Sequence, residues 1–245
     1  KNLLFKRMGQ WADQIITISE YSADEIEEYF SIPRSQISVI PLGVDEKCFS
    51  RVSQERKDAV LSRYNLVPEY FVCIGTLQPR KNITRLLDAF LQLPEELQRR
   101  HPLVIIGRNG WNCESLIERL NKLKTSNRVF WLDYVSFEDK YALIQSSLAM
   151  VFPSLYEGFG LPLLEAFASD IPVITSNITS LPEVAADAAI LVDPYSIDDI
   201  SQAMLNIATD DALQSKMRIL GHERVKSFSW RNTAEQTASI YRQML

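Results

Sequence analysis

The sequence predicts an α/β fold, a doubly wound parallel sheet with helices on both faces. Three observations carry that prediction. Short β-rich runs recur along the chain, they are mostly apolar, and segments of helical pattern separate them. Apolar runs of strand length suit strands buried on both faces. Strand-helix alternation calls for parallel pairing through right-handed crossovers.

The strands are expected at Gln14–Ile18, Ile37–Ile40, Tyr70–Ile74, Leu103–Ile106, Val129–Leu132, Leu148–Phe152, Pro172–Thr175 and Ala189–Val192. The helices between them carry start signals. Ser22 with Glu25 forms a capping box, and Ser136 with Asp139 a weaker one. Asn82 is placed to cap a segment in which Ile83, Leu86, Leu87, Phe90 and Leu91 keep helical spacing. Pro162 suits the first turn of the helix that carries Glu165. Trp230–Leu245 reads as an amphipathic helix with Ala234, Ala238, Tyr241 and Leu245 on one side.

Composition narrows the function. Hydrophobic residues make up 46% and charged residues 23% of the 245 residues, ordinary for a globular protein. A net charge of −5 argues against a chain-wide nucleic-acid footprint. No apolar run approaches the roughly 18 residues that span a bilayer, and no secretory signal is visible. The chain opens on Lys1, so its natural N-terminus is expected upstream. Cys48, Cys73 and Cys113 lack metal-ligand spacing and their odd number suggests no disulfide framework. Cys73 reads as a small buried hydrophobe, and a reducing, cytosolic setting fits. His101 and His222 read as surface residues near helix ends, without a catalytic role.

Pro41-Leu42-Gly43-Val44-Asp45 punctuates the chain as a linker. The single strand-helix-strand unit before it is too small to hold its own core. Six strands follow it.

Ligands of open parallel sheets bind at the carboxyl ends of strands, and three loops there are unusual. The loop after Tyr70–Ile74 runs Gly75-Thr76-Leu77-Gln78-Pro79-Arg80-Lys81-Asn82 and sets two cations beside a helix start. A diphosphate would suit that pair; a solvated Arg-Lys pair is the alternative. The loop Gly107-Arg108-Asn109-Gly110-Trp111 either brings backbone close to a ligand or makes a plain turn. The third loop places Glu157 just beyond Leu148–Phe152 and Glu165 one turn into the next helix. That helix is apolar almost all round, so its lone carboxylate needs a partner. Sugar or ribose hydroxyls would serve; a solvated face or an internal salt bridge is the alternative. Gly158 and Gly160 leave bare amides between the carboxylates for phosphate or sugar oxygens.

Glu157 and Glu165, with seven residues between them in Tyr-Glu-Gly-Phe-Gly-Leu-Pro-Leu-Leu-Glu-Ala, resemble the signature of family 4 retaining glycosyltransferases. So do Pro79-Arg80-Lys81-Asn82 after Gly75, Ser180-Leu181-Pro182-Glu183-Val184, and Leu191-Val192-Asp193-Pro194. The resemblance spans nearly the whole chain and implies the two-domain, Rossmann-like plan called GT-B. On that plan residues 1–44 are the tail of the N-terminal domain and the linker. Residues 45–228 are the C-terminal nucleotide-sugar-binding domain, and residues 229–245 a helix that crosses back.

Residue by residue, the resemblance implies that Lys81 with Arg80 binds the diphosphate, that Glu157 stands beside the donor sugar, and that Glu165 holds the ribose. It puts the amides of Phe159, Gly160 and Leu161 against sugar hydroxyls and phosphate. Gly107 and Val135 match positions near the ribose and base. Gly75 opens the diphosphate loop, and Gly158 follows the first glutamate. Thr76 stands where many members have Arg, which shifts phosphate neutralisation onto Lys81 and Arg80. Ser169-Asp170 stands where many have Cys-Gly.

The implied activity is transfer of a sugar from a nucleotide diphosphate to a saccharide or lipid-linked acceptor, with no metal or other cofactor. Arg108-Asn109-Gly110-Trp111 leans toward GDP-mannose. The acceptor would be read by the N-terminal domain. The setting implied is cytoplasmic, peripheral at the inner face of the cell membrane, without nucleic-acid partners. A non-catalytic nucleotide-sugar-binding module and a sugar-nucleotide epimerase of the same plan remain as alternatives. No Gly-x-Gly-x-x-Gly follows the first strand of either part, which disfavours an NAD-linked dehydrogenase.

Overall fold

A computed structural model describes Gly9 and residues 11–244. Residues 1–8 of the expected N-terminal remnant, and the expected end of the last helix at residue 245, lie outside the described residues.

The eight expected strands all form. β1 (Ile15–Thr17) and β2 (Ile37–Val39) pair in parallel as a two-stranded sheet, crossed over by α1 (Glu20–Phe30). Among the described residues, the hydrophobic cluster of this unit is small, with Ala23, Ile32 and Ile37 buried. The larger sheet holds β3 (Tyr70–Ile74), β4 (Leu103–Ile106), β5 (Val129–Leu132), β6 (Ser147–Phe152), β7 (Val173–Ser176) and β8 (Ile190–Val192). Its order is β5-β4-β3-β6-β7-β8, parallel throughout. The chain winds outward one way from β3 to β5 and the other way from β6 to β8. The order reverses between β3 and β6, and sheets of this kind bind ligands at the carboxyl ends of such a switch point.

β3, β4, β6 and β7 are buried along nearly their full lengths, as their uninterrupted apolar runs require. One core layer gathers Val72, Met150 and Phe152 against α6 (Phe137–Gln145) and α7 (Leu161–Ala168). The opposite layer packs Phe71, Ile105 and Val151 against α3 (Ile83–Gln92) and α9 (Ile197–Thr209).

Three local expectations are corrected. The cap of α1 is Ser19, not Ser22: Ser19 is extended (φ −153°, ψ 155°) and its hydroxyl accepts the Ser22 N–H. The Ser22 amide is thus the capped donor inside the first turn. Asn82 precedes α3 but does not cap it with its side chain, because it sits in the left-handed region at φ 58°. Its Nδ2 instead donates to the carbonyls of Pro153 (3.0 Å) and Pro194 (2.7 Å), pinning three loops together. His101 is not on the surface: it is 2% exposed, edge-on to Phe71, with Nδ1 2.6 Å from the Glu69 carbonyl. Ser136 caps α6 as expected.

The last helix forms as α11 (Trp230–Gln243). Thr233, Thr237, Ala238 and Ile240 are half-buried, whereas Ala234 and Tyr241 are exposed. The helix is fixed at its start to the linker. Val44 bridges Ser229, the Thr233 hydroxyl donates to the Pro41 carbonyl at 2.7 Å, and a Cβ on Gly43 would meet the Trp230 nitrogen at 2.0 Å.

Candidate active site

The loop after β3 descends as a 3-10 turn over Pro79–Lys81. This turn swings the Lys81 side chain inward, where it is only 10% exposed. Gly75, at φ 150°, makes the room: a Cβ there would stand 3.1 Å from Lys81 Cε. The ammonium lies 4.4 Å above the Phe152 ring and 2.6 Å from Glu157 Oε1. Arg80 Nη1 reaches the same oxygen at 2.8 Å and the Tyr156 carbonyl at 3.1 Å. Of the two cations beside the helix start, Lys81 is shielded and Arg80 stays 41% exposed, and both are opposed by a carboxylate. Glu157, 12% exposed, holds both.

The Glu157 loop is fixed from three sides. The Leu155 N–H donates to the Arg80 carbonyl at 2.7 Å. Ser180, opposite, donates its hydroxyl to the carbonyls of Glu157 (2.8 Å) and Phe159 (3.1 Å). From the first unit, the Ser19 hydroxyl donates to the Gly158 carbonyl at 2.8 Å, and Tyr156 bonds Glu25. That contact with Glu25, reinforced by burial, raises the Tyr156 pKa. The side chain of Phe159 turns into the core, edge-on to Phe228 at 5.9 Å. Gly160, at φ 116°, opens α7, with Leu161 exposed at the helix start.

Glu165 belongs to a second ion pair. Its Oε1 lies 2.7 Å from Lys140 Nζ on α6, and the two side chains are 21% and 18% exposed. The Lys140 ammonium also sits 5.1 Å from the Phe137 ring centroid and 5.0 Å from that of Tyr141. Of the two options for this carboxylate, the chain itself supplies the internal salt bridge. No hydrogen bond or ion pair joins Glu165 to Glu157 among the described residues.

The glycine of the second loop is required by close approach. A Cβ on Gly107 would stand 1.9 Å from the Gly75 carbonyl oxygen, so the two loops touch backbone to backbone. The Gly107 carbonyl accepts from Trp131 Nε1 at 2.9 Å. Arg108 stacks over Tyr134 at 4.8 Å, and Trp111 is 58% exposed. Val135 is half-buried at the edge of the core beside α6.

Lys81, Arg80, Glu157, Gly75 and Gly107 thus meet at the carboxyl rim by direct contact. Glu165 and Val135 stand on the elements that flank them. Sequence reasoning missed Lys140, and it quoted Ser180 and Glu183 within a motif without giving either a role. Lys140 carried one signal, a lone cation among Phe137, Tyr141, Ala142, Leu143 and Ile144.

Two family models match the sequence: "Glycosyl transferases group 1" over residues 57–224 and "Glycosyltransferase Family 4" over residues 1–47. The chain belongs to the group 1 glycosyl transferases. Relatives of this group 1 chain include the O-antigen chain mannosyltransferase B of Escherichia coli, 38% identical over 94% of the chain and 61% of that protein. The MMP alpha-(1->4)-mannosyltransferase of Mycolicibacterium hassiacum is 32% identical over 96% of the chain and 55% of that protein. The chain therefore spans little more than half the length of these relatives. Among solved structures, sucrose-phosphate synthase from Thermosynechococcus elongatus superposes with a TM-score of 0.83 at 25% identity, covering 99% of the chain and 61% of that chain. Anabaena HepE, solved with UDP and glucose, superposes at 0.81 with 17% identity, covering 96% of the chain and 64% of that chain. This second likeness concerns the fold.

Proposed function

We propose that the chain is the donor-binding part of a retaining glycosyltransferase that moves mannose from GDP-mannose to a saccharide or lipid-linked acceptor. The observation that carries this reading is the clamp of Lys81 and Arg80 on Glu157 at the sheet's switch point. The mannosyltransferase names of the relatives support the sugar.

In this mechanism the bond from the anomeric carbon to the β-phosphate oxygen breaks, and negative charge grows on the departing diphosphate. Lys81 and Arg80, already turned toward one point, stabilise that charge without reorganising. Each charge-assisted hydrogen bond contributes roughly 1.5–3 kcal/mol. Two that form only in the transition state give about 10²- to 10⁴-fold in rate. Glu157 keeps the cations oriented while no diphosphate is present, and stabilises positive charge near the sugar ring when one is. Glu165 accepts from the ribose hydroxyls. The side chains supply the positive charge, so the reading assigns no role to a metal. The acceptor is assigned to a domain upstream, with α11 crossing back to it, and the working place to the cytoplasmic face of the membrane.

Steady-state assays of the full-length protein with GDP-mannose test the reading. Lys81→Ala should lower kcat by about 10²-fold, the smaller end of that range, because Arg80 remains. An unchanged kcat removes the proposed role of the clamp. Turnover of UDP-glucose in preference to GDP-mannose would replace the donor and leave the clamp standing.

A further inference from the structure

A cavity of about 650 Å³ opens at the opposite end of the sheet, where the strands begin. Glu69 precedes β3, Ser146 and Ser147 lead into β6, and Ser169–Ile171 precede β7, and all of these line it. The volume falls in the range of small-molecule sites. Part of its lining is apolar, from Leu61, Pro68, Ile171 and Ile219.

Most of the polar lining is satisfied internally, and three groups are not. Arg51, Lys57, Arg218 and His222 all face the cavity. Asp170 is shared by Arg51 and His222, the latter at 2.9 Å. Glu223 is held at 2.6 Å by Lys226. That leaves Lys57 and Arg218 without a carboxylate partner among the described residues. Lys57 makes only a 3.5 Å contact to the Gln145 carbonyl, and burial together with the neighbouring Arg51 charge lowers its pKa. The Ser169 hydroxyl, on a residue 2% exposed, has no hydrogen-bond partner. A buried hydroxyl without a partner calls for one.

Asp170 keeps the left-handed backbone of a glycine, φ 56°, while adding a carboxylate that orders Arg51 and His222.

We propose that this cavity binds a phosphate monoester: the oxyanion on Lys57 and Arg218 with the Ser169 hydroxyl, and a hydroxyl-bearing body on Glu69. The two charged side chains and the hydroxyl are all donors, which suits an oxyanion. Glu69 lines the cavity without a cation partner among the described residues, and a carboxylate accepts from hydroxyl groups. The site lies on the rim opposite the Lys81 clamp and is independent of the reading of that clamp.

The chain has two histidines, and His222 lines the cavity. The imidazole resonances of the ¹⁵N-histidine-labelled chain, with His222 assigned by His222→Gln, report occupancy. Inorganic phosphate and glucose 6-phosphate are titrated separately, against potassium chloride at matched ionic strength. Saturable movement of the His222 resonances with either phosphate, absent with chloride, supports the site. Arg218→Ala, an exposed substitution, and Lys57→Met should each weaken the midpoint by about tenfold, the loss of one charge-assisted contact. Tighter binding of glucose 6-phosphate than of inorganic phosphate supports the monoester and its contact with Glu69, and equal binding of the two overturns that part of the proposal. His222 shifts that track ionic strength alone, or midpoints unchanged in Arg218→Ala, overturn the proposal.

Discussion

Glu183 caps a helix that lies far from it in sequence. Its carboxylate accepts the main-chain N–H of Glu20 at 2.9 Å and of Tyr21 at 3.1 Å, closing the first turn of α1 from the larger sheet's side. Arg224 fixes the same segment by donating to the carbonyls of Glu183 (2.7 Å) and Val184 (3.0 Å). Glu183→Ala leaves two amides of a helix start without their acceptor. Stability should fall by about 1 kcal/mol, the usual size of a lost cap. Urea unfolding measures the loss, and hydrogen exchange should quicken at Glu20 and Tyr21 ahead of the rest of α1. Unchanged exchange there would mean that the contact does not hold the helix.

Lys81 and Glu157 should behave as a coupled pair. Both are largely buried, so removing one partner strands part of the other's charge. Arg80 remains on Glu157 and softens the loss. In a double-mutant cycle of Lys81→Met and Glu157→Gln, the coupling energy should be about 1–3 kcal/mol. Additive losses in urea unfolding would show that the two residues do not share their stabilisation.

Lys140→Met should act on Glu165. The substitution keeps the stem that packs near Phe137 and Tyr141 and removes the charge 2.7 Å from Glu165. On the proposed function, the freed carboxylate loses its orientation for the ribose. KM for the donor should rise about tenfold with kcat little changed, the mark of lost ground-state binding. A fall in kcat at constant KM would contradict this role.

Gly107→Ala should be among the costliest small substitutions. Its Cβ would lie 1.9 Å from the Gly75 carbonyl oxygen and 2.6 Å from its carbon, and neither is the end of a flexible side chain. Separating the loops should cost about 3 kcal/mol, read as a drop in Tm. It should also displace Gly75 from Lys81.

The three cysteines should be silent in the folded chain. Cys48, Cys73 and Cys113 are 1%, 3% and 4% exposed, and burial pushes the Cys73 thiol up to about 12. At pH 8 that thiol is almost wholly protonated, and the thiolate is the reactive form. A thiol reagent should label none of the three before denaturant is added and all three afterwards.

The strands were legible because burial on both faces writes itself as an apolar run. Tyr70–Ile74 and Leu103–Ile106 form with the bounds that the runs predict, and Val129–Leu132 does so too, as a half-buried edge strand. Short-range chemistry was legible where one signal stood alone, as at Ser136. It failed where two serines three residues apart competed: Ser22 has the glutamate at the right spacing, but Ser19 has the extended backbone that a cap needs. Glu157 and Lys81 were readable as residues with unusual needs. That each meets the other's need was not readable, because residues 76 apart in sequence join only once β3 and β6 lie side by side. Lys140 escaped for the same reason, since its partner Glu165 stands on a different helix.

The landing of α1 on the Gly158 carbonyl and on Glu183 matters for anyone building hybrids of this chain with its relatives. A junction placed in the loop at Pro41–Asp45 would look natural, yet it would graft a foreign α1 onto a native rim and mismatch Ser19, Glu25 and Glu183 together. Crossover points upstream of Ile15 keep donor loop and docking helix from the same parent.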